Sequence, residues 1–137
     1  MNTAIPDLWP ADFGITQQPS PASILRQQGY LLGQHTQNFV VGDVDSRSEK
    51  PNGFIHVFSL SAPLLDFRQP LLHARHGVDY YPVELAIYDD NGSHLANLSV
   101  TDADQFMNEL RQNLASERVV RLVRSLVGQC RDFGEPE

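Results

Sequence analysis

The sequence predicts an α+β fold, with an N-terminal helix, an antiparallel sheet of about four or five strands in meander order, and two C-terminal helices. Apolar residues recur at helical spacing near both ends of the chain and in short alternating or clustered runs through its middle. Single strands never alternate with single helices, as a parallel sheet would require. A length of 137 residues suits one domain with one hydrophobic core. The division predicted is an irregular N-terminal arm over residues 1–19, a single domain over 20–131 and a flexible tail over 132–137.

The arm carries Pro6, Pro10, Pro19 and Pro21 with isolated apolar residues Leu8, Trp9 and Phe13, which make no periodic face. Trp9 and Phe13 are large enough to gain by leaving water, so they are candidate anchors onto the domain or a neighbouring subunit. Ser20 followed by Pro21 has the form of an N-cap and first helical residue. Ile24, Leu25, Gln28, Leu31 and Leu32 then share one side of a helix over 21–33.

Residues 39–44 read as a strand, and the polar stretch 45–53 reads as a turn on the strength of Pro51-Asn52-Gly53. Residues 54–60 carry apolar side chains at both alternating sets of positions, the pattern of a central strand. Pro63 ends it, and 69–76 and 81–88 follow as strands, with Val83, Leu85 and Ile87 on one face. Asp89-Asp90-Asn91-Gly92 reads as a tight turn into the run 95–100.

Thr101 with Asp104 has the spacing of a capping box, and Ala103, Phe106, Met107, Leu110 and Leu114 form one helical stripe. A second helix restarts at Ser116. Val119, Val120, Leu122, Val123, Leu126, Val127 and Cys130 lie on one side of it, with Arg118, Arg121, Arg124 and Arg131 opposite.

Seventeen acidic residues against ten basic ones give a formal charge of -7, which argues against a nucleic-acid partner because phosphate binding relies on a basic surface. Cys130 is the only cysteine, so an intrachain disulfide and a cysteine-based metal cluster are excluded. No run of about 18 apolar residues occurs, and residues 1–19 lack the basic and apolar regions of a secretion signal. The expected setting is the cytoplasm, without a membrane partner, and the Asn97-Leu98-Ser99 sequon is expected to be a chance match.

The chain has no Gly-x-Ser-x-Gly elbow, Gly-rich phosphate loop or dinucleotide fingerprint. His56, His73 and His76 fall on adjacent strands, but His73 and His76 are three apart and so face opposite ways. No carboxylate sits beside them at a metal-motif spacing, so no metal or cofactor is expected. Neither Asp43 with Asp45 nor the 89–92 cluster matches a calcium loop.

Three functions remain. The leading one is a protein-interaction or accessory domain without catalysis, self-associating through its sheet surface or a helix face, because the 54–60 strand has apolar residues on both faces. The arginines Arg118, Arg121 and Arg124 are its candidate partner-binding residues, since guanidinium pairs bidentately with carboxylate. The second is a small-molecule binding protein or enzyme with a pocket around His56, His73, Arg75 and Tyr81, polar residues on otherwise apolar strands. The third, resting on net charge, is an acidic inhibitor or immunity-type partner of a basic protein.

Ile24-Leu25-Arg26-Gln27-Gln28 through Leu32-Gly33-Gln34-His35-Thr36-Gln37-Asn38, and 64–85 with His76-Gly77-Val78-Asp79-Tyr80-Tyr81-Pro82-Val83, resemble a group of small uncharacterised bacterial α+β proteins. The resemblance spans most of residues 20–130 and implies no activity, cofactor or site residue.

Overall fold

The protein is described by a computed structural model that covers residues 4–14 and 18–134. Nine elements follow in order: α1 (Pro21–His35), β1 (Val41–Glu49), β2 (Gly53–Ala62), a single 3-10 turn (Pro63–Leu65), β3 (Phe67–His76), β4 (Val83–Tyr88), β5 (His94–Val100), α2 (Ala103–Leu114) and α3 (Glu117–Gly134). The five strands form one antiparallel sheet in sequence order. The architecture is therefore the α+β meander that the sequence predicts.

Local chemistry accounts for the boundaries. The Ser20 side chain accepts from Ser23 N at the start of α1, and Gln37 and Asn38 take left-handed conformations just beyond its end. Helix α2 is capped one residue later than the Thr101–Asp104 spacing suggests. Asp102 is the N-cap and accepts from Gln105 N, while Gln105 Oε1 accepts from Thr101 N at 2.7 Å. Asp102 wins because its own short carboxylate reaches the orphan amide, and Gln105 is long enough to reach back.

Strand β1 is longer than the sequence suggests, running through Glu49 and pairing Ser46 with His56 and Glu49 with Gly53. The polar residues read as a loop are tolerated there because β1 is an edge strand with one side in water. Strand β4 begins at Val83, two residues later than expected, since Pro82 has no amide to contribute to a ladder. Helix α3 continues to Gly134, past the expected start of the tail, whose residues 135–137 lie outside the described ones. Of the arm, 1–3 and 15–17 lie outside the described residues, and 4–14 form neither helix nor strand.

All three helices cover one face of the sheet. That face contributes Phe58, Leu60, Leu72, Leu85 and Val100 to a single core with Leu25 of α1, Phe106 and Leu110 of α2, and Leu126 and Cys130 of α3. The β2–β3 register slips by one between Phe58 and Ser59, leaving Leu71 unpaired, so Leu71 and Leu72 both enter the core.

The opposite face differs from the apolar surface inferred from β2. It is a field of paired charges: Glu49 takes a bidentate bond from Arg75 at 2.6 and 3.1 Å, and Asp43 and Asp45 lie near Arg68 and Arg47. Ile55 is only 8% exposed beneath these long side chains. The register alternation places Arg47, Glu49, Ile55 and Arg75 together on this side.

Candidate functional site

The first candidates to place are the histidines. His56 and His76 lie diagonally across β2 and β3 on the helix-covered face, with rings stacked at 5.0 Å between centroids and Nε2 atoms 2.9 Å apart. His76 Nδ1 lies 2.8 Å from Gly77 O and 3.1 Å from Asp79 O, so it must carry the proton and donate. His76 Nε2 then accepts from His56 Nε2–H, and His56 Nδ1 accepts from the Ser46 hydroxyl at 2.7 Å. Arg26 Nη2 donates to Ser46 Oγ at 3.3 Å. The chain of donors runs one way from α1 through β1, β2 and β3 to a backbone carbonyl.

This arrangement suits structure better than chemistry. All four ring nitrogens of the pair are committed, so neither histidine has a lone pair for a metal or a substrate proton. Burial, with the neighbouring His76 and Arg26, pushes the His56 pKa down to about 4 and keeps the ring neutral at pH 7.

His73 points to the other face, where Nδ1 bonds the Tyr88 hydroxyl and His94 stacks on Tyr88 at 5.4 Å. Burial and then Arg75 lower the His73 pKa. Arg75 is held by Glu49. Tyr81 donates to Pro19 O at 2.9 Å, and burial raises its pKa to about 12. The sheet therefore separates His56 from His73, and His56, His73, Arg75 and Tyr81 do not enclose a common pocket. Among the described residues no group of three His, Cys, Asp or Glu side chains is placed to hold a metal ion.

The arginines of α3 divide into two kinds. Arg118 donates to Tyr88 O at 2.8 Å and to Asp90 at 3.0 Å, and Arg121 lies 3.9 Å from the same carboxylate. Both pin the start of α3 to the β4–β5 turn. At the other end of the helix, the buried Cys130 thiol faces Phe39 O at 3.7 Å. Arg124 forms no ion pair with any described residue and stands at the edge of a cleft.

That cleft separates α1 from α3. Its floor is Phe58 and Leu60 of β2, one wall is Gln28, Leu31, Leu32, His35 and Thr36, and the other is Val119, Val120, Val123 and Arg124, with Leu114 at one end. Its volume is about 440 Å³, within the range of small ligand sites. Helix α1 lies so close to β1 that a Cβ on Gly29 would collide with the backbone oxygen of Gly42. With α1 held there and α3 pinned at both ends, a gap stays open between the helices above Phe58 and Leu60, which are themselves only 1% exposed. Leu31 and Val120 remain 37% and 41% exposed at the rim.

Sequence reasoning placed these residues on core-facing stripes and missed the cleft. The available signal was the apolar doublets, Leu31-Leu32, Val119-Val120, Leu122-Val123 and Leu126-Val127, which make a wider face than one helix contact needs.

Among the described residues no helix is long and apolar enough to cross a membrane. No protein-family model, curated protein or solved structure matches the chain.

Proposed function

We propose that this protein is a non-catalytic interaction domain that takes an apolar, acidic segment of a protein partner into the cleft between α1 and α3. The cleft itself carries the reading: an apolar floor and walls, with the Arg124 guanidinium and His35 at the edge. An extended or helical segment laid in such a cleft would gain by burying Leu31 and Val120 at its rim. A carboxylate on the segment would meet Arg124.

The competing readings have less support. A pocket around His56 and His73 would need both on one side of the sheet. An acidic surface for a basic partner rests on the net charge of -7 alone, and four of its carboxylates, Asp43, Asp45, Glu49 and Asp90, already lie beside arginines. A single cysteine, Cys130, allows no intrachain disulfide, which accords with a reducing cytoplasmic setting.

The test compares tagged wild type with Val120→Glu as bait in native lysate, at low and high salt. The reading predicts a stoichiometric protein retained by wild type, weakened by salt and lost from the variant. Identical captures by the two baits would contradict it.

A further inference from the structure

The arm offers what the cleft lacks. Ile5, Leu8, Trp9 and Phe13 are 73–88% exposed, so four large apolar side chains stand in water on one short segment. The segment is locally organised. Asp7 Oδ1 accepts from Trp9 N at 3.1 Å, Asp12 Oδ1 accepts from Gly14 N at 2.8 Å, and the rings of Trp9 and Phe13 lie 5.7 Å apart. These turns hold the two aromatics together as a ready-made apolar wedge. Residues 4–14 include two aspartates and no basic residue, against Arg124 and His35 at the cleft.

The root of the arm is fixed to the body. Gln18 Oε1 accepts from Ala103 N at 2.9 Å, and Tyr81 donates to Pro19 O. The arm thus leaves from the N-terminal end of α1, whereas the cleft is walled by the C-terminal half of that helix.

We infer that the occupant of the cleft is the arm of a second copy of this chain, so that two copies exchange arms about a two-fold axis. The inference rests on the interaction reading above and names the partner. Both halves of the contact are present in one sequence: the arm exposes Ile5, Leu8, Trp9 and Phe13, the cleft rim exposes Leu31 and Val120, and the arm's two aspartates are opposite in charge to Arg124. A reciprocal exchange closes at two copies and uses both arms and both clefts.

Trp9 is the only tryptophan, so its emission reports the arm alone. The experiment measures sedimentation velocity and Trp9 fluorescence over a concentration series of the full chain, for wild type, Leu8→Ser/Phe13→Ser and Val120→Glu. Far-UV circular dichroism confirms that each variant is folded; the arm variant changes only exposed positions.

Wild type is expected to form a dimer whose Trp9 emission shifts to the blue in step with dimerisation. Either variant is expected to raise the dimer dissociation constant at least tenfold and to leave Trp9 emission that of exposed tryptophan. A dimer that persists in both variants would overturn arm exchange, because the copies then meet elsewhere. A blue shift independent of concentration would overturn it in favour of the arm lying on its own chain. A monomer with exposed Trp9 at every concentration would overturn it while leaving the cleft open to another protein, which the Val120→Glu capture decides separately.

Discussion

His56 and His76 carry their protons at places dictated by their neighbours. Two-dimensional ¹⁵N–¹H NMR at pH 7 is expected to show His56 protonated on Nε2 and His76 on Nδ1, because the Gly77 and Asp79 carbonyls can only accept. The reverse tautomers would break the donor chain. The same burial makes stability depend on pH. The folded-state pKa of His56 is depressed to about 4 from 6.5, so below pH 6.5 the unfolded chain takes up a proton that the folded one refuses. Stability is therefore full above pH 6.5 and falls as pH drops toward 4. Between pH 7 and 5 the loss from this residue is about 2 kcal/mol. It is measured as the difference in urea unfolding between wild type and His56→Gln at the two pH values, which cancels the carboxylates; equal pH dependence would refute it. The period of two already separated His73 from His76 in the sequence. The His56–His76 pairing was not legible there, because it follows from the β2–β3 register.

At the scale of elements, the contact of α1 with β1 decides where the cleft lies. An alanine methyl at Gly29 would meet the backbone oxygen of Gly42, which no side-chain rotation relieves. Alanine gains about 1 kcal/mol of helix propensity over glycine, but overpacking a backbone contact costs about 1–3 kcal/mol and also displaces the helix. Gly29→Ala is expected to lower stability by up to about 2 kcal/mol net. Gly128 of α3 has open space around it, so Gly128→Ala is expected to raise stability by up to about 1 kcal/mol. Urea denaturation of the pair checks both signs, and a neutral Gly29→Ala would show that α1 is not held by this contact. Asp102→Ala is expected to cost about 1 kcal/mol through loss of the α2 N-cap. Helical stripes, the β4 alternation and the Asn91-Gly92 turn were all readable from the sequence, because each is set by side chains within one element. The second half of β1 was not. Its polar residues belong to an edge strand whose pairing is decided by β2, and local propensity reads such residues as loop.

The whole molecule is a sheet with one face buried under three helices and the other lined by exposed charged side chains of β1 and β3. The sequence suggested two apolar faces on β2, and with them self-association through the sheet. Ile55 and Val57 do point away from the helices, but the arginines and carboxylates of β1 and β3 lie over that side and make it polar. An apolar cleft left for a partner is the gap between α1 and α3. It was invisible in the sequence because it is a property of helix placement, and not of any single apolar stripe. Exposed apolar residues in the arm and in the cleft would both be costly in an isolated monomer, and one association removes both from water.

Photo-cross-linking from the cleft tests this most directly. A benzophenone side chain at position 120, in a mixture of ¹⁴N- and ¹⁵N-labelled copies, reports by mass spectrometry which peptide lies in the cleft and which copy it comes from. Cross-links to residues 5–13 joining a light copy to a heavy one are expected. Cross-links confined to single copies, or their absence at concentrations where the protein is dimeric, would contradict it.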